Sequence, residues 1–166
     1  MNQISNSPFF NGLPAQEKVI ISAVVGVIVV YYVIRLVAFI FYLLTLQKAL
    51  LRCAPERRAM QPGLVWLLLI PCVGYVWHFF VVLNVSKSLA AEFQSRNVAV
   101  EPQPGKVIGL IMCFLGCAIV FFTMASMIPL IGLLFSLGNM ALGLARLTFW
   151  IIYWVKIAGY SKRIAT

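Results

Sequence analysis

Two arginines, Arg35 and Arg146, stand near the middles of long apolar runs in this 166-residue chain. At such a position in a membrane a charge costs roughly 2.5 to 3.5 kcal/mol and calls for a partner. The usual partner is an intramembrane carboxylate, but the chain has no Asp and its four Glu lie outside the strongly apolar runs. Arg35 can equally extend to an interface, because its helix is long enough to slide. For Arg146 we predict a buried role. Its partners would be backbone carbonyls, polar side chains, water, an anionic lipid or ligand, or an acidic residue of another protein.

Three further polar side chains, His78, Asn84 and Asn139, also lie in apolar runs. A single membrane histidine is more often a hydrogen-bonded interior residue than a ligand or proton carrier. Cys113 and Cys117 stand one helical turn apart and could join His78 at a metal, but packing of small side chains explains them better. We therefore predict no metal site and no cofactor. The candidate functional residues are His78, Asn84 and Asn139, together with Arg35 and Arg146.

Catalytic residue sets are missing from the sequence. It contains no Ser-His-Asp set, no paired carboxylates, no HExxH and no phosphate-binding loop. Acid–base chemistry and proton-coupled export both depend on carboxylates, which are scarce here. We predict that the protein is not an enzyme.

The composition places the chain in a membrane. It is 63% hydrophobic and 10% charged, with a mean hydropathy of +0.99, whereas soluble domains are roughly 45 to 50% apolar. Thirteen Lys and Arg against four acids give a net charge of +9. In membrane proteins basic residues collect in cytoplasmic loops and meet anionic headgroups. We predict a bilayer with anionic headgroups as a partner, and no nucleic acid.

The apolar runs predict an all-α fold, a multi-pass transmembrane helical bundle in one membrane domain covering residues 1–166. A polar N-terminal segment, 1–17, precedes the helices, and a Pro- and Gly-containing linker, 97–105, separates two halves. Each membrane-embedded helix needs about 20 residues to cross the hydrocarbon. Four such helices are predicted at 19–46, 64–86, 106–127 and 133–155.

The second predicted helix is ambiguous, because Pro71 and Gly74 interrupt it. It can cross as a Pro-kinked helix or fold back as a re-entrant segment. Four crossings divide the loop and terminal basic residues seven to four between the two sides, and re-entry divides them ten to one, as the positive-inside rule favours. Irregular backbone in a bilayer must be buried in protein, however, and a short chain offers little. We predict four crossings with both termini cytoplasmic, and re-entry as the alternative.

The two breaks in the apolar sequence share a pattern. Residues 70–74 read IPCVG and residues 128–132 read IPLIG. Internal repeats are common in membrane proteins, so the pattern is compatible with a duplication as well as with chance.

Small residues recur at every fourth position where the third helix begins: Gly105, Gly109, Cys113 and Cys117. This spacing keeps them on one side of a helix, and small side chains let helices approach closely. We predict that this ridge faces another helix.

Three segments resemble a set of small bacterial multi-pass membrane proteins of unassigned function: PGLVWLLLIP (62–71), FFVVLNVSKSLAAEF (79–93) and FWIIYWVKIAGYSKRI (149–164). The similarity extends from about residue 60 to the end of the chain. The resemblance implies a four-helix protein of the bacterial inner membrane, and it implies no substrate, cofactor or active residue.

The leading functional prediction is a structural or regulatory membrane subunit, a helical bundle that self-associates or docks on a larger membrane protein. The alternative is an oligomeric, anion-conducting pore lined by Arg35 and Arg146, with no acids to weaken its positive potential.

Overall fold

The computed structural model describes residues 14–70, 73–128 and 132–165, and these are all-helical where they are regular. Their α-helices are α1 (Ala15–Arg52), α2 (Val73–Ser95), α3 (Lys106–Ala125) and α4 (Gly132–Ala165). Two 3-10 helices, Pro55–Arg57 and Pro62–Leu69, lie between α1 and α2. Residues 1–13, most of the predicted polar N-terminal segment, lie outside the described residues. The all-helical prediction is confirmed for the described part of the chain.

Of the described helices, α1, α3 and α4 are long and apolar enough to cross a membrane. These three are compatible with an integral membrane protein. With 38 and 34 residues, α1 and α4 are about 57 and 51 Å long, well beyond a hydrocarbon core of about 30 Å. Both extend past the predicted spans towards their C-terminal ends, because one face there is buried: Leu46, Ala49 and Leu50 in α1, and Ile157 and Ile164 in α4.

The chain divides into two units, which we call the N-terminal unit, Met1–Phe41, and the bundle unit, Tyr42–Thr166. The described part of the N-terminal unit is Pro14 and the greater part of α1, and none of its residues is buried. The bundle unit contains the end of α1, both 3-10 helices and α2 to α4.

The predicted membrane helix at 64–86 is not one continuous helix. The 3-10 helix Pro62–Leu69 and α2 form a hairpin, in which the Trp77 indole N–H donates to the Leu64 carbonyl oxygen at 2.8 Å. In a straight α-helix, residues 13 positions apart would be separated by about 20 Å, so the chain reverses between them. Pro71 and Cys72 lie outside the described residues. The hairpin is compatible with the re-entrant alternative, and the predicted kinked crossing is not confirmed.

The glycines of the repeated pattern make the same close contact at both breaks. A Cβ atom at Gly74 would lie 2.7 Å from the Leu68 carbonyl oxygen, and one at Gly132 would lie 2.6 Å from the Ser126 carbonyl oxygen. In each case the carbonyl belongs to the residue six positions earlier. No side chain fits either gap, so the repeated pattern requires glycine twice for the same local reason. The prolines of the pattern lie outside the described residues.

One end of the bundle unit joins segments that are far apart in sequence. After α1, the Ala54 N–H donates to Glu92 Oε2 on α2 at 3.0 Å. The last residue of α1, Arg52, donates to the Ser161 carbonyl oxygen near the end of α4 at 2.6 Å. Four consecutive crossings would place the loop after α1 a full bilayer away from the ends of α2 and α4. These hydrogen bonds join the segments directly, so the four-crossing prediction is not confirmed.

We call this region the basic end. The segments that meet there contribute four, three and three basic residues, ten of the thirteen in the chain. They are Lys48, Arg52, Arg57 and Arg58, then Lys87, Arg96 and Lys106, then Lys156, Lys162 and Arg163.

The hairpin reaches only part of the way along α3. Near its turn, Tyr75 contacts Arg146, whose guanidinium lies against Gly116 of α3. Gly116 is about 15 Å from the start of α3 at Lys106 and about 14 Å from its end at Ala125, counted at 1.5 Å per residue. The hairpin turn therefore lies near the mid-length of α3.

The core of the bundle unit lies between the hairpin turn and the basic end. Most of its fully buried side chains come from α1, α2 and α4, with Val65 from the 3-10 helix and Met112 from α3; those of the three helices include Tyr42, Leu43, Leu46, Leu50, Val81, Val82, Val85, Leu89, Tyr153 and Ile157. Beyond the turn, α3 and α4 expose large apolar side chains such as Phe121, Met124, Leu134 and Leu137. Such a surface suits contact with lipid.

Candidate functional site

His78 lies in a polar cluster within the apolar part of the bundle unit. It shares one face of α2 with Val81, Val82 and Val85, at helical spacing, and that face is buried in the core. The histidine is 6% exposed, and its Nε2 lies 2.9 Å from the Tyr42 hydroxyl. It is thus a hydrogen-bonded interior residue.

Arg146 reaches this cluster from α4. Its Cζ lies 5.6 Å from the centroid of the Tyr75 ring, a cation–π contact that contributes about 0.5 to 2 kcal/mol. The same Cζ is 3.2 Å from the position that a Cβ atom would take at Gly116. A side chain at Gly116 would therefore push the guanidinium away, so the glycine makes room for it. The structure thus brings His78 and Arg146 together with Tyr42 and Tyr75.

The other three polar candidates lie apart from this cluster. Arg35, in the N-terminal unit, donates from Nη1 to the Tyr31 hydroxyl one turn earlier, at 3.0 Å. Asn84 donates to the Phe80 carbonyl oxygen of its own helix at 2.8 Å. The Asn139 amide lies 2.8 Å from the Thr123 hydroxyl, where it joins α4 to α3.

The small-residue ridge faces the interior of the chain over most of its length. A Cβ atom at Gly109 would lie 2.5 Å from Val82 Cγ1 and 2.9 Å from Tyr153 Cε2, so α2 and α4 both approach here. Cys113 is 5% exposed, but Cys117 is exposed and lies outside the contact. Because Gly109 already packs inside its own chain, it does not offer a surface for a second protein.

Gly105 has a backbone role in addition to its small size. Its φ is +74° as the residue before α3, a left-handed conformation that glycine adopts without strain. Its N–H donates to Glu101 Oε1 at 2.9 Å.

Cys113 and Cys117, for which the sequence favours packing over a metal site with His78, do not share an environment, since Cys113 is buried and Cys117 is exposed. Over the described ranges, no three His, Cys, Asp or Glu side chains form a group that could hold a metal ion.

Glu92 is the centre of the basic end. The carboxylate is 3% exposed and accepts from the Ala54 N–H at 3.0 Å, from Arg96 Nε at 2.8 Å and from Arg57 Nη1 at 3.4 Å. Burial opposes ionisation, but these hydrogen bonds outweigh it and lower the pKa of Glu92. The ionised carboxylate therefore ties the loop after α1 to α2.

Cys53 is buried next to this carboxylate. Burial, with a smaller contribution from the Glu92 charge, raises the pKa of the Cys53 thiol to about 11. A thiol that stays protonated at neutral pH is a poor nucleophile.

Glu101 fastens the linker to α4 in a similar way. It accepts from Lys156 Nζ at 2.7 Å and from the Tyr160 hydroxyl at 2.8 Å. The bond from Lys156 and that from the Gly105 N–H lower the pKa of Glu101 to about 2.

Two arginines cap the final turns of α4. Arg52 donates to both the carbonyl oxygen and the hydroxyl of Ser161, and Arg96 Nη1 donates to the Ile164 carbonyl oxygen at 2.6 Å. Cations at a helix C-terminus satisfy carbonyls that have no partner in the helix and complement its dipole. The basic end is therefore held together chiefly by bonds from arginine, lysine and backbone donors to carboxylates and carbonyls.

Sequence reasoning did not single out Glu92 or Glu101. For Glu92 the available signal was a glutamate four residues before Arg96 in an otherwise amphipathic helix end, a spacing that favours an ion pair. Its main partner, Ala54, is 38 residues away and leaves no local pattern.

The Arg146 cluster and the basic end both have the chemistry to bind negatively charged groups. The cluster in the apolar part of the bundle unit holds a guanidinium beside the Tyr75 ring, and the basic end gathers ten cationic side chains, several of which pair within the chain. The chain matches no protein-family profile, no curated protein and no solved structure.

Proposed function

We propose that the protein is a non-enzymatic subunit of the bacterial inner membrane that docks on a partner membrane protein through the N-terminal unit. The observation that carries this proposal is that none of the described residues of that unit is buried, although its helix is apolar enough to span. The stretch of α1 in the N-terminal unit thus has no buried side chain, unlike the end of α1 in the bundle unit, and packing against a partner's helix would bury it.

Ser22 and Gly26 provide the docking face. They stand four residues apart on one side of α1, and a Cβ atom added at Gly26 would have no heavy atom within 4 Å. Small residues at this spacing let a second helix approach closely, which is the main source of helix association in lipid.

The partner is a different protein rather than a second copy. Each copy carries a net charge of +9 and no acid within its apolar runs. Pairing two copies would therefore bring like charges together and supply no counter-charge for the intramembrane arginines.

The proposed topology has three crossings, α1, α3 and α4, and a re-entrant hairpin made of Pro62–Leu69 and α2. The basic end faces the cytoplasm, so the C-terminus is cytoplasmic and the N-terminus lies on the other side. The hydrogen bonds that join the loop after α1 to the ends of α2 and α4 support this arrangement. The ten-to-one division of basic residues supports it independently.

The docking proposal is tested by substituting Gly26, where the open space around the Cβ position leaves the protein's own packing unaffected. Gly26→Leu should reduce the native complex, extracted in mild detergent, to the 18.5 kDa protein alone as measured by light scattering. The control Val27→Leu, at a side chain that is 71% exposed, should leave the complex intact. A wild-type protein that is already monomeric, or equal behaviour of the two variants, contradicts docking. A mass that is a whole multiple of 18.5 kDa shows self-association instead.

The anion-conducting pore stays a prediction. Liposome flux measurements address it directly, since conductance that is lost in Arg146→Leu would support a pore lined by that side chain.

A further inference from the structure

Arg146 lies deep in the apolar part of α4. It precedes Lys156, which pairs with Glu101 at the basic end, by ten residues or about 15 Å. It follows the start of α4 at Gly132 by fourteen residues or about 21 Å. The guanidinium is therefore attached near the middle of a hydrocarbon core of about 30 Å.

The contacts of Arg146 do not use its hydrogen-bonding capacity. A guanidinium has five N–H donors. Arg146 lies over the Tyr75 ring and against Gly116, and within the described residues no atom accepts a hydrogen bond from it and no carboxylate pairs with it. A mid-membrane charge costs roughly 2.5 to 3.5 kcal/mol, more than a cation–π contact of about 0.5 to 2 kcal/mol returns.

The chain's own acids are placed elsewhere. Glu92 and Glu101 are paired at the basic end, and Glu56 lies in the 3-10 helix after α1. Glu17 stands in the first turn of α1, ahead of its apolar run. A second copy would bring the same set, so neither the chain nor its duplicate supplies a carboxylate at mid-membrane.

An open strip of α4 lies beside Arg146. Met140, Gly143, Leu144 and Leu147 follow the i, i+3, i+4, i+7 spacing of one helix face, and the three large side chains among them are 51 to 67% exposed. A Cβ atom at Gly143 would have no heavy atom within 4 Å. We call these four residues the α4 strip. It has the small residue and the apolar surroundings that a close helix–helix contact needs.

We propose that Arg146 forms an ion pair with an Asp or Glu in a transmembrane helix of the partner protein, and that this helix packs on the α4 strip. The inference rests on the proposed function and specifies the chemistry of the partner. A carboxylate in lipid is as costly as a guanidinium, so the pair relieves the cost of both charges. Lipid phosphates lie at the membrane surface, and Arg146 is too deep for them to be its natural counter-ion.

A synthetic transmembrane peptide provides the probe. It is a Leu- and Ala-rich helix with Lys at both ends and one central Glu, and a matched peptide carries Gln instead. Binding to the purified full-length protein in phosphatidylcholine vesicles is followed by energy transfer from its tryptophans, which include Trp150 one turn after Arg146, to a dansyl group on the peptide. The wild type should bind the Glu peptide about tenfold more tightly than the Gln peptide, equivalent to about 1.4 kcal/mol.

The preference for Glu should disappear in Arg146→Gln and persist in Lys162→Gln, which removes one positive charge from an exposed site at the basic end. Arg146→Lys should retain part of it, which separates loss of charge from loss of fold. Equal binding of the two peptides by the wild type overturns the proposal without any variant. A preference that survives in Arg146→Gln overturns it as well.

A lipid counter-ion is the remaining outcome that the experiment distinguishes. If phosphatidylglycerol raises the thermal unfolding midpoint of the wild type but not of Arg146→Gln, a lipid headgroup neutralises the arginine and the partner-helix proposal fails. Neither result alters the Gly26 test, so failure here is separable from failure of the docking function.

Discussion

The buried carboxylate of Glu92 gives the sharpest test of how the basic end is held. Glu92→Ala removes the acceptor of the Ala54 N–H, a hydrogen bond to a charged group that is worth about 1.5 to 3 kcal/mol. It also removes ion pairs to Arg57 and Arg96, whose side chains are 43% and 39% exposed. Solvent screening limits each of these to about 0.5 kcal/mol. The expected loss in free energy of unfolding is therefore about 2.5 to 4 kcal/mol.

Glu92→Gln should cost less, about 1 to 2 kcal/mol, because the amide keeps an oxygen for the Ala54 N–H but forms a neutral hydrogen bond. The control is Glu56→Ala, which removes the same charge from an exposed position at the same end and should stay within about 0.5 kcal/mol of wild type.

Unfolding in mixed micelles of mild detergent and SDS, followed by tryptophan fluorescence and circular dichroism, measures these differences. The expected order of stability is wild type and Glu56→Ala, then Glu92→Gln, then Glu92→Ala. Wild-type stability in Glu92→Ala would refute the reasoning, since it would mean that the carboxylate does not hold the loop after α1.

Three further predictions address topology, packing and pH. Reporter fusions or cysteine labels at Glu56 and Gln103 should report the same, cytoplasmic side, and opposite sides would restore the four-crossing topology. Gly109→Leu should destabilise the bundle by more than the 1 to 3 kcal/mol or so typical of overpacking, because even a Cβ atom there meets Val82 at 2.5 Å, whereas Leu110→Ile should have little effect in the same unfolding assay. The pKa of Glu101 falls from 4.5 to about 2 on folding, so its stabilisation is complete above about pH 5 and is lost as the pH drops towards 2. Thermal unfolding midpoints of wild type and Glu101→Gln should accordingly differ by a constant amount above pH 5 and converge near pH 2, and a difference that instead changes around neutral pH would contradict this assignment.

Hydropathy was enough to predict helices at α1, α3 and α4, because length and apolar composition decide them locally. It could not decide whether the Pro62 to Lys87 region crosses or turns back, since both forms bury the same residues in lipid. The hydrogen bond between Trp77 and Leu64 and the bond from Ala54 to Glu92 are tertiary contacts. The ten-to-one charge division favours re-entry, whereas the small amount of protein available to bury a turn favours a crossing.

The outcome for the small-residue ridge follows from helix geometry. Each step of four residues turns the helix by about 400°, or 40° past a full turn. Three steps from Gly105 carry Cys117 about 120° away from the starting direction, which places it outside the contact. Gly116 is eleven residues from Gly105, about 1100° or only 20° past three turns, and it meets Arg146. A spacing of eleven residues from Gly105 therefore predicts Gly116 as a contact residue, whereas a spacing of four residues predicts Cys117.

The half-depth hairpin has a consequence for the membrane itself. In the proposed orientation, the cytoplasmic leaflet accommodates Pro62–Leu69 and α2 in addition to α3 and α4. Of the helices described for the bundle unit, α3 and α4 alone reach the outer leaflet. A protein that occupies more area in one leaflet than in the other stresses a flat bilayer and is accommodated best where the cytoplasmic leaflet is stretched. Lateral distribution of the protein would then depend on membrane curvature, so that the place where it meets its partner could be set by the shape of the cell.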